Sequence, residues 1–596
     1  MPRPFIFQLP DMTGGLNEAA AEMIQDNEFA QLDNWFVEGP SLWTRLGYTL
    51  VGGPHDEEIL SIFLYDPDIT ASGDEIVLLG CRSSLAVLSG TDIVELEVSD
   101  GRIYPDNTTR WWIVQYGNAA YACQKGNGGV KRVYGNSVME AGIVAPTVEP
   151  QATDGGDGKK EEGNYRFAYR YYNTQTGAKS NWSPSSLEIA LEDAHKALIT
   201  DIGTSTNPQV NARQIGATKA NDAVIYLVGQ INDNSSTTYE ENASDEAQEY
   251  GEADVDANGN VTTDTRHGAP PDQAWSLELY KERVFVLNRD GLFWSEAGLS
   301  QSFKGTSFLP VARGTGLIHW PEHGLVIATE KNGQILQGDT PTDFRTDAGN
   351  LSREHGCPAG KSMAIGDKIL FWYTGTNIVA TTGGSPEILP GIERIRTTLD
   401  SIPDAQKSDV VGETIPSKGW YVLSVPTDTT RKAIVYSYKE GRFVGVFPSA
   451  PKTLARLLRE DATQEKVYAA FDSDYNLYEY LSGSTDDGTA ITSTFATKNY
   501  GQETQAVQKI TKRVSVLCPQ TNGTFTLKIY HDGTLVETRT SLSLNKKGWK
   551  RYNVNTSGQP GHLVQVVFEY AGAVQLALEQ LQIEGTLIHG RRPIPQ

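Results

Sequence analysis

The chain reads as mainly β: a β-propeller of six or seven blades, interrupted by one β-sandwich and followed by another. Three observations predict this. Short apolar strands separated by Gly-containing turns recur at irregular intervals along the chain. Runs with 3.6-residue apolar spacing are scarce. The 26 Tyr, 11 Trp and 58 Gly among 596 residues favour pleated strands and tight turns over helices. At this length one core cannot serve the whole chain, so several domains are expected.

Taken in order, residues 1–55 form an N-terminal segment that closes onto the propeller, and 56–145 hold its first blades. Residues 146–270 are the inserted β-sandwich, 271–485 the remaining blades, and 486–596 a C-terminal β-sandwich of jelly-roll-like kind. The blade pattern is an apolar strand, a turn, a second strand, a Gly-containing turn and an edge strand. It recurs at 75–90, 111–123, 274–295, 317–338, 363–380, 420–446 and 466–480. Each sheet alone leaves apolar faces in water, and a ring of sheets hides them.

The irregular spacing comes from the insert. TDGGDGKKEEG at 153–163 reads as a linker, and YRFAYRYY at 165–172 then alternates aromatic and polar residues before Gly177 and Ser183-Pro184-Ser185. This resembles a fibronectin type III-like strand pair, with 223–228 as a later core strand. Past residue 489 the blade pattern stops. Strands at 512–517, 525–530, 550–554, 564–570 and 576–583 predict the closing sandwich, with Asp532-Gly533 as a hairpin turn.

A net charge of -23 and a pI near 4.9 argue against a surface that grips phosphates, because nucleic-acid affinity rests on clustered Lys and Arg. Such a balance keeps a large surface soluble and also suits a conduit past which DNA slides. Cys81, Cys123, Cys357 and Cys518 are widely spaced, without a Cys-x-x-Cys pair, and read as buried thiols of a protein folded in a reducing cytosol. MPRPFIFQLPDMTGG has too short an apolar run for a signal peptide, and no segment approaches the ~20 apolar residues of a membrane helix, so no membrane segment is expected.

The search for chemistry yields little. Asp254, Asp256 and Asn258 before Gly259 space oxygens as a calcium loop does, with Asp264 near the closing position. The twelfth position is Thr265 instead of Glu, so an acidic hairpin turn on Asn258-Gly259 is the favoured reading and no metal is assigned. Asn288-Arg289-Asp290-Gly291 and Asp472-Ser473-Asp474-Tyr475 read as hairpin turns and not as paired catalytic carboxylates. His319, His323, His355 and His531 form no ligand or triad pattern, and Lys159-Lys160, the Lys546-Lys547-Lys550-Arg551 group and Arg591-Arg592 read as solvated loop charges. Neither an enzyme nor a cofactor is expected.

Residues 14–53 carry the most specific signal. Gly14-Gly15-Leu16-Asn17, then Asp26-Asn27-Glu28, then Asn34-Trp35-Phe36, then Gly39, Leu42, Arg45 and Gly47 resemble the N-terminal segment of the tail nozzle (tail hub or DNA stabilisation) proteins of short-tailed bacteriophages. The resemblance covers about 40 residues closely, and the rest of the chain in architecture. It implies a homohexamer in the virion tail, assembled in the host bacterial cytoplasm below the adaptor (head-to-tail connector) protein. There it would retain packaged double-stranded DNA, anchor a tail fibre or spike protein, and conduct the genome without specific binding. The alternative from another class is a secreted or cell-surface glycan-binding β-propeller.

Overall fold

The computed structural model describes residues 3–9, 11–70, 75–99, 104–248, 253–255, 261–346, 351–428, 430–458, 465–501, 507–519, 523–544 and 547–588. It is mainly β, as the sequence predicts, with only short helical turns among the described residues.

Among the described residues, seven antiparallel sets of strands lie outside the insert and the C-terminal sheets and follow one another along the chain. The first is Ile59–Tyr65, Ile76–Cys81, Leu85–Ser89 and Asp92–Glu95, and the second is Trp111–Tyr116, Ala119–Gln124, Lys131–Tyr134 and Ser137–Glu140. The third is Ser276–Tyr280, Arg283–Leu287, Gly291–Trp294 and Phe308–Pro310, and the fourth Gly314–Trp320, Gly324–Thr329 and Gly333–Leu336. The fifth starts at Ala364–Gly366 and the sixth at Val411–Ile415. The seventh is Thr453–Leu457, Lys466–Ala470 and Leu477–Tyr480, finished by Tyr48–Gly52 from the N-terminal segment.

The second strand of these sets explains why they stack. AAYACQ, RVFVL, GLVIAT and WYVLSVP are buried at every position, the continuous apolar run of a strand covered on both faces. Leu78, Leu85 and Tyr65 of the first set pack on Trp111, Ala120 and Val133 of the second. Val114, Tyr121 and Cys123 of the second pack on Leu277, Val284 and Val286 of the third. Leu457, Tyr468 and Leu477 of the last set return to Ile59, Val77 and Leu79 of the first. First strands follow the same circuit: Ile59–Tyr65 lies beside Trp111–Tyr116 at one side and Thr453–Leu457 at the other.

Hydrogen bonding also runs an eleven-strand path from Val411–Ile415 to Thr453–Leu457, whose end strands lie side by side, so the path is nearly closed like a barrel. Two of its joints are single residue pairs, Asp33 with Val446 and Asp486 with Tyr48.

Between the second and third sets, Gln151–Lys160, His195–Thr200 and Tyr239–Glu241 form one sheet, and Phe167–Tyr172, Ala212–Ala217 and Tyr226–Ile231 another. Tyr165, Phe167, Tyr169, Leu191, Ile199 and Ile215 fill the space between them. The stretch expected as a linker is therefore largely a strand, pairing with His195–Thr200 through two register shifts that absorb its glycines. The later core strand begins at Tyr226 and not at 223.

At the C-terminal end, Pro4–Leu9, Gln580–Ile588, Gln508–Cys518 and Gly548–Asn553 make one sheet. Thr524–His531 pairs with Thr534–Ser543 and Val564–Gly572, the latter pairing with Thr489–Thr497. Alternate residues of Thr524–His531 are buried, the period-two pattern of a half-covered strand. Among the described residues, the first strand thus completes a sheet with the last.

Candidate functional site

The N-terminal signature folds into a clasp between the ring of sets and the C-terminal sheets. Adjacent residues of a strand face opposite sides, and the Trp35-Phe36 pair uses both. Trp35, fully buried, meets Phe495 at 5.5 Å and Phe568 at 6.3 Å, while Phe36 meets Trp420 of the sixth set at 5.0 Å. Arg45, 2% exposed, donates from Nη1 to Asp486 Oδ1 at 2.8 Å, from Nη2 to Asp486 Oδ2 at 2.5 Å, and from Nε to Asn34 Oδ1 at 2.6 Å. Asn34 in turn donates to Thr492 O at 2.7 Å. Buried Glu28 accepts from Asn17 Nδ2 at 2.8 Å and Gln25 N at 2.7 Å and pairs with Arg394 at 3.0 Å. Gly47 lies so close to Thr485 that a Cβ would stand 1.8 Å from its carbonyl oxygen, so only glycine fits there.

A second constellation lies where the first strands converge, and sequence reading missed it. Lys361, on the turn Gly360–Ser362, holds Nζ 4.0 Å from the Trp112 ring of the second set. A Cβ on Gly316 of the fourth set would meet the same indole at 2.8 Å, so Trp112 reaches across to the fourth set. Around it stand Glu278 of the third set, whose Oε1 accepts from Leu279 N at 3.0 Å, and Glu413 of the sixth, whose Oε1 accepts from Thr414 N at 2.9 Å. Crowding by protein pushes the Glu278 carboxyl up to about 7 and raises Glu413. Burial, with Arg110 adding repulsion, brings the Lys361 ammonium down to about 8.

Beside this shaft an ionic chain ties four sets together. Asp409 takes both Arg110 and Arg431, Arg431 Nε reaches Asp472 at 3.0 Å, and Lys452 pairs with Glu58 at 2.8 Å and Asp472 at 3.6 Å. Burial alone would raise the Asp409 carboxyl, but the two guanidiniums outweigh it and hold it below the usual range. Asp472, read from sequence as a turn residue, is thus a link in this chain.

Of the calcium candidates, Asp256 and Asn258 lie outside the described residues. Asp254 pairs with Thr262 in a short hairpin. Arg266 Nε sits 3.4 Å from Asp254 and 3.0 Å from Asp264, and buried Asp264 also accepts from Arg170 at 3.2 Å and contacts His267 at 2.9 Å. Both carboxylates are thus committed to cations of the chain itself. Lys160, expected as a solvated loop charge, is buried beside Glu241 at 3.4 Å. Lys546, Arg591 and Arg592 lie outside the described residues, while Lys547, Lys550 and Arg551 lie at or on the strand Gly548–Asn553. His319, His323, His355 and His531 occupy separate places: His319 meets Tyr280, His323 stacks on Trp320, His355 N bonds Ser352 Oγ, and His531 meets Thr511 Oγ1 at 3.1 Å. Asp290 N donates to Asn288 Oδ1 at 2.8 Å, an Asx turn. All four cysteines are free and buried. Among the described residues no cluster of His, Cys, Asp and Glu is arranged to hold a metal, and no helix is long and apolar enough to cross a membrane.

No protein-family model matches the chain, and no curated protein matches it. Solved structures resemble it only slightly. A computationally designed protein, Ika8, covers 73% of this chain and 100% of its own at 13% identity and a TM-score of 0.31. A glycoside hydrolase family 43 arabinoxylan arabinofuranohydrolase from Bacillus subtilis covers 75% and 95% at 10% identity and 0.18. An exo-beta-1,3-galactanase from Phanerochaete chrysosporium covers 85% and 100% at 9% identity and 0.17. Likenesses this slight establish no shared function.

Proposed function

We propose that the protein is a structural component of a bacteriophage tail, a nozzle subunit that assembles as a homohexamer between the adaptor and a tail fibre or spike. The observation that carries this reading is the N-terminal signature together with the work its residues do. Gly47, Asn34, Trp35, Phe36 and Arg45 join the ring to the C-terminal sheets, so much of the signature serves one structural device, while Asp26 and Gly39 stay exposed. In this reading the seven sets are the blades of a seven-bladed β-propeller, closed by Tyr48–Gly52 on the last blade. The insert is a fibronectin type III-like sandwich and the C-terminal sheets a second sandwich.

Trp112 and Lys361 reach into the propeller's own centre, so duplex DNA would pass through the lumen enclosed by six copies. Six chains at -23 each make a strongly acidic assembly, and carboxylates lining its lumen would repel a polyanion from every side and leave it no place to stall. Light scattering on the purified chain tests the assembly: a mass six times the 65.2 kDa of one chain is expected, and a monomer at every concentration overturns it.

The second reading, a secreted or cell-surface glycan-binding β-propeller, shares the architecture. A cavity of about 570 Å³ between the second set, at Lys131 and Glu140, and the insert, at Asn207, leaves room for a ligand and favours it. It predicts a monomer that is retained on an immobilised glycan.

A further inference from the structure

The sheet that Pro4–Leu9, Gln580–Ile588, Gln508–Cys518 and Gly548–Asn553 make buries one face and leaves the other in water. Val514, Val516, Leu581 and Ile583 are in the core, so their neighbours Arg513, Gln582 and Glu584 take the other side. At the edge strand, Tyr552 pairs with Val514 and Lys550 with Val516, which puts Trp549, Arg551 and Asn553 on the outer face. Lys547, just before the strand, continues that alternation, and all four are exposed, Trp549 by 40%. Among the described residues the side chains of Lys547, Trp549 and Arg551 have no hydrogen bond or ion pair.

This face is basic in an acidic protein. Between residues 508 and 588 nine Lys and Arg stand against five Asp and Glu, whereas the whole chain has 51 against 74. A free Trp beside a free Arg is also the pairing that anchors protein interfaces.

The insert is the reverse, with 20 Asp and Glu against nine Lys and Arg in residues 146–270. Gly163 pairs with Leu191, and Ala194 N donates to Lys160 O at 2.8 Å, which sets Glu161 and Glu162 beside Glu192 and Asp193. All four acids are exposed. Lys160 is buried with Glu241, and His195 is held by Asp154 at 2.7 Å, so neither neutralises them. Carboxylates crowded this way repel one another until cations from outside face them.

One chain thus presents a basic face and an acidic end, both open. Two unlike patches on the same chain make a head-to-tail contact, the kind that repeats into a closed ring. We propose that the Trp549–Arg551 face of one copy docks on the acidic end of the next copy's insert, around Glu161 and Asp193. The contact rests on the hexamer proposed above and names the joint that closes it.

Two charge-reversed full-length chains test it by light scattering. Lys547→Glu with Arg551→Glu makes the sheet face acidic, and Glu161→Lys, Glu162→Lys and Asp193→Lys together make the end of the insert basic. Each chain alone sets like charge against like and should stay monomeric where the parent has six times the 65.2 kDa mass. Mixed in equal amounts they should alternate around the ring and restore that mass, because an even number of subunits lets every joint pair unlike charges. All five positions are exposed, so the melting temperatures should match that of the parent. Trp549→Ala should raise the concentration needed for assembly about tenfold. Reversed chains that assemble alone, or a mixture that stays monomeric, overturn the contact and leave a hexamer joined elsewhere. A monomeric parent overturns the contact and the hexamer together.

Discussion

The clasp, where charge is buried, and the central shaft, where it is partly exposed, treat charge in opposite ways. At the clasp, Arg45 forms a bidentate pair with Asp486 and bonds Asn34, so each charge has its hydrogen-bond partners. In the shaft, Glu278 and Glu413 accept from neighbouring backbone N–H groups, while the nearby ammonium of Lys361 is turned to the Trp112 face. Satisfied pairs lock two parts of the chain together, whereas crowded and incompletely paired charges shift towards neutrality. The clasp is therefore expected to hold the fold, and the shaft to respond to pH.

Substitutions can break this contrast at either end. Arg45→Ala leaves Asp486 and Asn34 without their partner and should cost about 3–5 kcal/mol in urea unfolding, the range for breaking one side of a buried ion pair. A loss below about 1 kcal/mol, the range of exposed pairs, would mean the clasp is ornamental.

At the shaft the effect is smaller and its sign depends on pH. Because the folded Glu278 carboxyl titrates near 7 and the free group at 4.5, the folded chain holds a proton that the unfolded chain releases between these values. This contribution to stability is full below 4.5 and falls as pH rises through 7. Lys361, brought from 10.5 to about 8, adds stability above 10.5 that is lost as pH falls through 8. Glu278→Gln should therefore raise the melting temperature more at pH 8 than at pH 5. An equal shift at both pH values would show that Glu278 is an ordinary solvated acid.

The insert sharpens the comparison by subtraction. A Cβ on Gly142 would stand 2.6 Å from Pro270, so the chain leaves the ring and returns to it at nearly one place. Replacing 146–270 with a short Gly-Ser bridge should leave a soluble ring, with the melting temperature within about 5 °C of the parent. Insoluble protein would make the insert part of the core. The smallest effect belongs to calcium. With Arg266 already between Asp254 and Asp264, millimolar calcium should not move the melting temperature, and a rise abolished by Asp254→Ala would contradict that.

The local signals of the fold were legible in sequence, and its long-range contacts were not. All seven strand sets follow from apolar runs and turns, yet Ile59–Tyr65 escapes because ILSIFLY has no alternation and sits beside the N-terminal segment. The run 153–163 looks like a linker because Gly and charge dominate it, and pairing with His195–Thr200 overrides that composition. The clasp residues stand out as a motif, but Asp486, 441 residues from Arg45, cannot be paired with it by spacing. Glu278, Lys361 and Glu413 belong to separate elements and meet only where the first strands converge, so no local pattern marks them.

Electron microscopy of the purified chain addresses the central claim most directly. The account predicts six-fold rings around an open lumen whose wall is poorer in Lys and Arg than the outer surface. Isolated single propellers, or a closed ring lined by Lys and Arg, would contradict it.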